Sequence, residues 1–194
     1  MNNYTVITID NSVAKPFILK YHYLKRMPSI KYSFGLYKKT ELVGVITFGI
    51  PNLNQRSSIA GLEFASCVYE LNRLCLKDNL KNEASYFVSR VLKMLPNDLY
   101  ILSYADEAQG HKGIVYQACN FRYYGTTKKN KEFRLYGLEH LHSKTAFNLH
   151  KNHGLEGEYV QRSTKHRYIY VTGDNNKEFL YSIINFKQQK YPKS

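Results

Sequence analysis

The chain has 194 residues, 43% of them hydrophobic, and a formal net charge of +13, which suits one well-packed domain, is short for two, and excludes a disordered protein. No run of 18 apolar residues occurs, so no membrane-spanning helix is expected; Met1-Asn2-Asn3-Tyr4 lacks the charged and apolar regions of a signal peptide, so a cytoplasmic location is expected. Cys67, Cys75 and Cys119 are odd in number and have no CxxC spacing, as expected of reduced thiols rather than a structural zinc site.

In chain order, Tyr4 to Ile9 alternates as a first strand, and Ser12 to Lys25 carries a helical pattern entered through Asp10-Asn11-Ser12 and ended by Pro28. Tyr32 to Tyr37 and Leu42 to Phe48 predict a hairpin across the polar turn Lys38–Glu41. Gly49-Ile50-Pro51-Asn52 leaves the sheet, and Leu53 to Gly61 reads as a mobile loop. Cys67 to Leu76 predicts a strand. Asn82 to Leu95 predicts a helix, with Asn82 as cap, Glu83 in the first turn and Pro96 as the stop. A strand at Leu99 to Tyr104, a short helix at Lys112 to Ala118, and strands at Phe121 to Thr126 and Phe133 to Tyr136 follow. From Glu139 to Gln161 the pattern fades into a polar, His-rich region. The irregular spacing of His140, His142, His150 and His153 there suits a flexible surface better than a metal cluster. Tyr168 to Thr172 and Asn176 to Ile184 predict a last strand and a last helix.

The order β-α-β-β, then β-α-β-α-β, describes an α/β (α+β) domain with a mixed central sheet and helices on both faces. It resembles the order of GNAT-type acyltransferases, although a fold does not name a reaction. Such acyltransferases follow their fourth strand with a glycine-rich pyrophosphate loop that opens a helix. Here that position holds Leu76-Lys77-Asp78-Asn79-Leu80-Lys81-Asn82-Glu83-Ala84-Ser85, without a glycine. A standard acetyl-CoA site is therefore not expected. An acyl-CoA-like donor stays open, because a helix N-terminus offers free N–H groups and Ser85 stands in the first turn.

Ser103 to Gly125, SYADEAQGHKGIVYQACNFRYYG, is the most informative stretch. The apolar run Tyr100-Ile101-Leu102 leads to Asp106, and Gly110, His111 and Gly113 follow in a turn before the short helix. A carboxylate at the carboxyl end of a buried strand, ahead of a glycine-flanked helix start, is where open α/β sheets place ligands. The short connection confines Asp106, His111 and Tyr116 to one neighbourhood that can hold a metal or move a proton; the alternative is an Asp that caps the next helix. Arg73 lies within an apolar strand, where a guanidinium needs a carboxylate partner, from a ligand, from Glu70 or from Asp106.

Positive charge is dense after Thr127, as in Lys128-Lys129-Asn130-Lys131 and Lys165-His166-Arg167, and 18 tyrosines accompany it. Basic residues interleaved with aromatics suit a polyanion whose bases can stack, so nucleic acid is the leading partner. The bland alternative is a lysine-rich composition drawn from an AT-rich genome.

Five segments in order, His22-Tyr23-Leu24, Glu70-Leu71-Asn72-Arg73-Leu74, Asn82-Glu83-Ala84-Ser85, Ser103-Tyr104-Ala105-Asp106 with Gly110-His111, and Lys165-His166-Arg167-Tyr168, resemble the Mom family of DNA-modification proteins of Mu-like bacteriophages. The resemblance covers about residues 20 to 172. It implies a GNAT-like fold and a transferase, working in the host cytoplasm, that converts adenine in DNA to N6-carbamoylmethyladenine and so blinds host restriction enzymes. It assigns catalysis to His22, Tyr23, Arg73, Ser85, Asp106 and Tyr116, cofactor contacts to Asn82, Ser85 and Arg73, and an iron(II) ion to Tyr23 and Asp106 with His22 beside them. Reaching N6 in double-stranded DNA requires flipping the base. Lys128, Lys129, Lys131, Arg162, Lys165 and Arg167 are candidate backbone grips, and Tyr123, Tyr124 and Phe48 candidate stackers. The competing readings are a GNAT-type acyltransferase acting on a small molecule or protein, and a nucleic-acid-binding module without catalysis. The oligomeric state is left open.

Overall fold

The computed structural model describes residues 3–23, 27–138 and 141–193. Strand β1 (Tyr4–Thr8) leads into helix α1 (Asn11–Tyr21), and β2 (Tyr32–Lys38) and β3 (Glu41–Gly49) form the expected hairpin. Then come α2 (Leu53–Ala60), β4 (Val68–Leu76), α3 (Glu83–Leu92), β5 (Tyr100–Asp106), α4 (Ile114–Ala118), β6 (Arg122–Thr126) and β7 (Lys131–Leu135). The chain continues through α5 (Ser143–His153), β8 (Gly157–Gln161), β9 (Lys165–Val171) and α6 (Lys177–Ser182). Among the described residues no helix is long and apolar enough to cross a membrane. All three cysteines are free thiols, Cys75 and Cys119 buried.

Seven strands make one sheet in the order β1-β2-β3-β4-β5-β9-β6, in which only β4 and β5 run parallel. Helix α3 places Ala84, Phe87, Val88, Val91 and Leu92 on one stripe at helical spacing, and this stripe seals one face of the sheet against Phe34, Ile46, Leu71 and Ile101. On the other face α1 covers Val45 and Cys75, while α2 and α6 cover Val68, Tyr100 and Ile169. Each fully buried aliphatic or aromatic side chain there contributes about 1.5–3 kcal/mol. Between β6 and β9 the chain builds an inserted module, in which the β7–β8 ribbon and α5 bury Phe133, Leu135 and Ala146 together.

Three expectations are corrected. Residues 53–61, expected as a mobile loop, hold α2 (Leu53–Ala60) and its C-cap Gly61. The Asn52 side chain caps it by accepting from Gln55 N–H at 3.0 Å, and Arg56 ties it down through the carbonyls of Pro51 and Ala65. Its single buried residue, Ile59, left no apolar period to detect. The region that fades after Glu139 contains α5 and β8. They rest on the module's small core, and α5 itself buries only Ala146. Glu139 and His140 lie outside the described residues. The first helix ends at Tyr21 because His22 turns extended, at ψ 134°; Leu24 and Lys25 also lie outside the described residues.

The site's position follows from strand pairing. Strands β4 and β5 are in register only from Val68 to Glu70 against Tyr100 to Leu102. Beyond that the two strands part, since β5 is held by β9 along its whole length to Asp106–Lys165. The sheet therefore opens into a fork.

Candidate active site

A bulge in β4 sets the chemistry of the fork. The register against β3 steps from Thr47–Arg73 to Phe48–Leu71, so Asn72 is the extra residue. In a regular strand Glu70 and Arg73, three apart, point to opposite faces. The bulge shifts the alternation: Leu71, Leu74 and Leu76 pack toward α3, Cys75 packs toward α1, and Glu70 and Arg73 come to one face. Asn72 locks the kink, accepting from the Thr47 hydroxyl at 2.6 Å and donating to the Ser29 carbonyl at 2.9 Å. Two cavities meet at this kink. The larger, about 600 Å3, is lined by His22, Tyr23, Tyr104, Asp106, Tyr116 and Lys165, among others. The smaller, about 360 Å3, is lined by Ser29, Gly49, Pro51 and His142. Glu70, Asn72 and Arg73 form the wall that both share.

The fork thus gathers most of the residues singled out in the sequence. His22 is buried at the end of α1, with its ring stacked on the exposed Tyr23 at 4.5 Å. Arg73 is buried and donates to the Asn72 carbonyl at 2.6 Å. His111 lines the larger cavity on the turn before α4. Tyr116 packs its ring on Phe121 and Tyr168 at 5.4 and 5.5 Å. Burial pushes its phenol up against an opposing Ser103 hydroxyl, so it stays a neutral donor at pH 7. Ser85 and Asn82 stand beside the cavity rather than in it, where Ala84 and Asn79 form the wall. Asn82 adopts φ 63° and makes no capping bond with its side chain, while the Ser85 hydroxyl donates to the Asn82 carbonyl at 3.1 Å.

Asp106 serves partly as the capping residue that the sequence left open. Its Oδ1 accepts from Ala108 N–H at 3.0 Å and from the Ser163 hydroxyl at 2.7 Å, and the Lys165 ammonium lies 3.6 Å from Oδ2. Burial pushes this carboxyl up, but Ser163, Ala108 N–H and Lys165 together outweigh it and hold it below the usual range. Its contribution to stability is therefore present at neutral pH and lost as pH falls through the lowered value. Asp106→Asn keeps the Oδ1 acceptor and is expected to cost under about 1 kcal/mol, whereas Asp106→Ala strands two donors and should cost about 1–2 kcal/mol. Thermal melts of the two variants at pH 7 check the difference, and equal melting temperatures would exclude the capping role.

Three groups emerge that the sequence did not assign to the site in these roles. Glu70, considered only as a partner for Arg73, is pushed up by burial against the opposing charges of Lys165, Arg73 and Arg162. Lys165, expected as a backbone grip, faces the cavity beside Asp106. Tyr104 is pushed up by burial and takes a hydrogen bond from Gln55 of α2 at 3.1 Å. A polar residue interrupting an apolar strand was the one available signal for Glu70. Cys75 also lines the larger cavity, but burial pushes its thiol up to about 11, which leaves no thiolate nucleophile at neutral pH.

The surroundings of the two expected cofactors differ. Among the described residues no group of three His, Cys, Asp or Glu side chains could hold a metal ion. Of the expected iron ligands, Asp106 is already bonded and has an ammonium beside it. A diphosphate at the α3 N-terminus would meet Glu83, which is buried, accepts from Leu80 N–H at 3.1 Å and takes the Tyr4 hydroxyl at 2.8 Å. The end of α3 is thus already supplied with its own anion.

The candidate DNA grips divide. Lys128, Lys129, Lys131 and Arg162 are exposed on the inserted module and its connections. Lys165 and Arg167 are engaged inside the protein, Arg167 lying 3.9 Å over the Phe186 ring and against Tyr104. The candidate stackers Tyr123, Tyr124 and Phe48 are core residues, at most 6% exposed, with the Tyr123 hydroxyl bonded to His166 at 2.8 Å. No base can stack on them without repacking the sheet.

A forked, mostly antiparallel sheet with helices on both faces is the GNAT acyltransferase fold. It is shared with an N-acetyltransferase from Staphylococcus aureus Mu50 (TM-score 0.52, 10% identity, 87% of this chain and 98% of that one). Salmonella typhimurium yncA, solved with its cofactor acetyl-CoA, has it too (TM-score 0.52, 6% identity, 89% and 96% covered). At such identities the likeness defines the fold alone. The sequence model of the Mom protein family matches residues 3–193. The chain is also 31% identical over 208 residues to methylcarbamoylase mom of Escherichia phage Mu, covering 97% of this chain and 83% of that protein. The chain belongs to the Mom protein family.

Proposed function

We propose that this chain is a DNA-modifying transferase that places a carbamoylmethyl group on N6 of adenine in double-stranded DNA, in a host cell's cytoplasm. Membership of the Mom family over nearly the whole chain carries the proposal, and the fork gives it a place to happen. A flipped adenine needs a wet, largely preformed cavity with a few fixed polar groups. The two cavities have room for the base on one side of the Glu70–Arg73 wall and the donor on the other. Arg73 presents a planar fork that can hold the donor's amide oxygen. Tyr116 and Tyr104, kept neutral by burial, donate without competing for charge. No step is routed through iron or coenzyme A; an acyl-CoA-like donor stays open, as the GNAT-fold yncA was solved with its cofactor acetyl-CoA.

The test is nucleoside mass spectrometry of DNA from cells expressing the protein. N6-carbamoylmethyladenine is the expected product. Its absence, with an acylated small molecule or protein in its place, would favour the acyltransferase reading, and no product at all the binding module.

The exposed lysines predict how DNA is held. Affinity for duplex DNA is expected to fall steeply with salt and to vary little with sequence, because interactions with phosphate dominate. Replacing Lys128, Lys129 and Lys131 with Glu should weaken binding to all sequences and flatten the salt slope by about 0.9 for each phosphate no longer neutralised. Fluorescence anisotropy across a salt series checks this; an unchanged slope would take the grip away from this part of the module.

A further inference from the structure

We propose that Glu70 is the proton acceptor for adenine N6, an assignment that rests on reading the chain as an adenine-modifying transferase. Glu70 and Asp106 line the fork and Glu83 stands beside it at the start of α3, and their surroundings differ. Asp106 is bonded to Ser163 and Ala108 N–H, and Glu83 to Tyr4 and Leu80 N–H. The Glu70 carboxylate makes no hydrogen bond or ion pair to any described residue. Yet it is half-buried and belongs to the wall that both cavities share. A half-buried carboxylate without bonds is unfavourable for the fold, which leaves it available to a bound ligand.

The chemistry needs a base there. The N6 lone pair is delocalised into the purine ring, so N6 attacks well only as its proton leaves. In the step, a bond forms between N6 and the methylene carbon of a donor that carries the carbamoylmethyl group on a leaving atom. The bond from that carbon to the leaving atom breaks, and its electron pair departs with the leaving atom. The N6 proton passes to a Glu70 Oε, and the N–H electron pair stays on nitrogen. The proton returns to solvent when the product leaves.

The groups facing Glu70 suit this role. Arg73 on its own strand, Lys165 on β9 and Arg162 before β9 oppose the effect of burial and keep the carboxylate available. Tyr104 on β5 and Tyr116 on α4 feel its charge. His142 lines the smaller cavity, and His22, Tyr23, His111 and Asp106 line the larger one. Burial raises the pKa of Glu70, so ionisation lowers stability as pH rises through that value. A neutral isostere should therefore be at least as stable at pH 7.

The experiment compares wild type, Glu70→Gln and Glu70→Asp at matched expression. It measures N6-carbamoylmethyladenine in cellular DNA, and, on the purified proteins, the melting temperature and binding to a duplex with 2-aminopurine at the target position. Glu70→Gln is expected to lose about 100-fold or more of the modification, with unchanged duplex binding, unchanged 2-aminopurine fluorescence and an equal or higher melting temperature. Glu70→Asp should recover a measurable part. Full modification by Glu70→Gln in an assay where wild type is active would overturn the assignment alone. A parallel loss of duplex binding or melting temperature would overturn it too, in favour of a binding or structural role. An inert wild type would overturn the function on which it rests.

Discussion

Arg73→Lys is expected to leave a folded protein that modifies adenine at least about 100-fold less than wild type. The guanidinium is buried at the wall between the cavities, and one of its nitrogens is already engaged by the Asn72 carbonyl at 2.6 Å. Its planar shape lets it serve that carbonyl and hold further partners in one fixed plane. A lysine ammonium is one compact charge on a flexible stem and cannot do both. Arg73→Leu should be worse in a way that identifies the cause. Arg73 is one of the cations that oppose the burial of Glu70, so removing it pushes that carboxyl up further and leaves less carboxylate at neutral pH. The loss should then exceed that of Arg73→Lys, which keeps the charge. Nucleoside mass spectrometry at matched expression, with melting temperatures of the purified variants, checks the order. If Arg73→Leu folds and modifies adenine as wild type does, Arg73 neither clamps a substrate nor sustains Glu70.

Much of this molecule was legible where sequence periodicity and packing agree. The α3 stripe and the β2–β3 hairpin are of that kind, and the strand expected over Leu99 to Tyr104 is present, starting one residue later and ending two residues later, at Asp106. Helices α2 and α5 were not legible, because each buries a single residue of its own; side-chain caps and a small local core hold them instead. Within the site, the motif residues His22, Tyr23, Arg73, Asp106 and Tyr116 do line one cavity. The Glu70–Arg73 pairing could not be read from spacing, since three residues along a strand implies opposite faces until one knows that Asn72 is bulged. The role of Lys165 was hidden for a similar reason. A lysine in a basic run suggests a surface grip, and only its cross-strand register with Asp106 turns it into the cavity.

The largest effect on stability is expected from Gly113→Ala. Gly113 opens α4 at φ 72°, a left-handed conformation, and an added Cβ would lie 2.4 Å from Cε2 and 2.7 Å from Cζ of Tyr168. That ring cannot give way easily. Tyr168 is fully buried, its hydroxyl donates to the Lys112 carbonyl at 2.5 Å and accepts from Gln117 at 3.0 Å, and its ring packs on Tyr116 and Tyr123. Backbone strain of about 1–3 kcal/mol and overpacking of about 1–3 kcal/mol should together lower the melting temperature by roughly 5–15 °C in a domain of this size. Gly110, on the same turn at φ 66° with nothing within 4 Å of the position a Cβ would take, separates the two causes. Gly110→Ala carries the strain without the clash and should cost about half as much. Displacing Tyr168 also moves Tyr116 in the fork, so Gly113→Ala should lose modification at temperatures where it is still folded, while Gly110→Ala keeps it. Equal melting temperatures for the two variants would mean that Tyr168 yields at no cost, and that the close approach of this turn to the sheet does not hold Tyr116 in place.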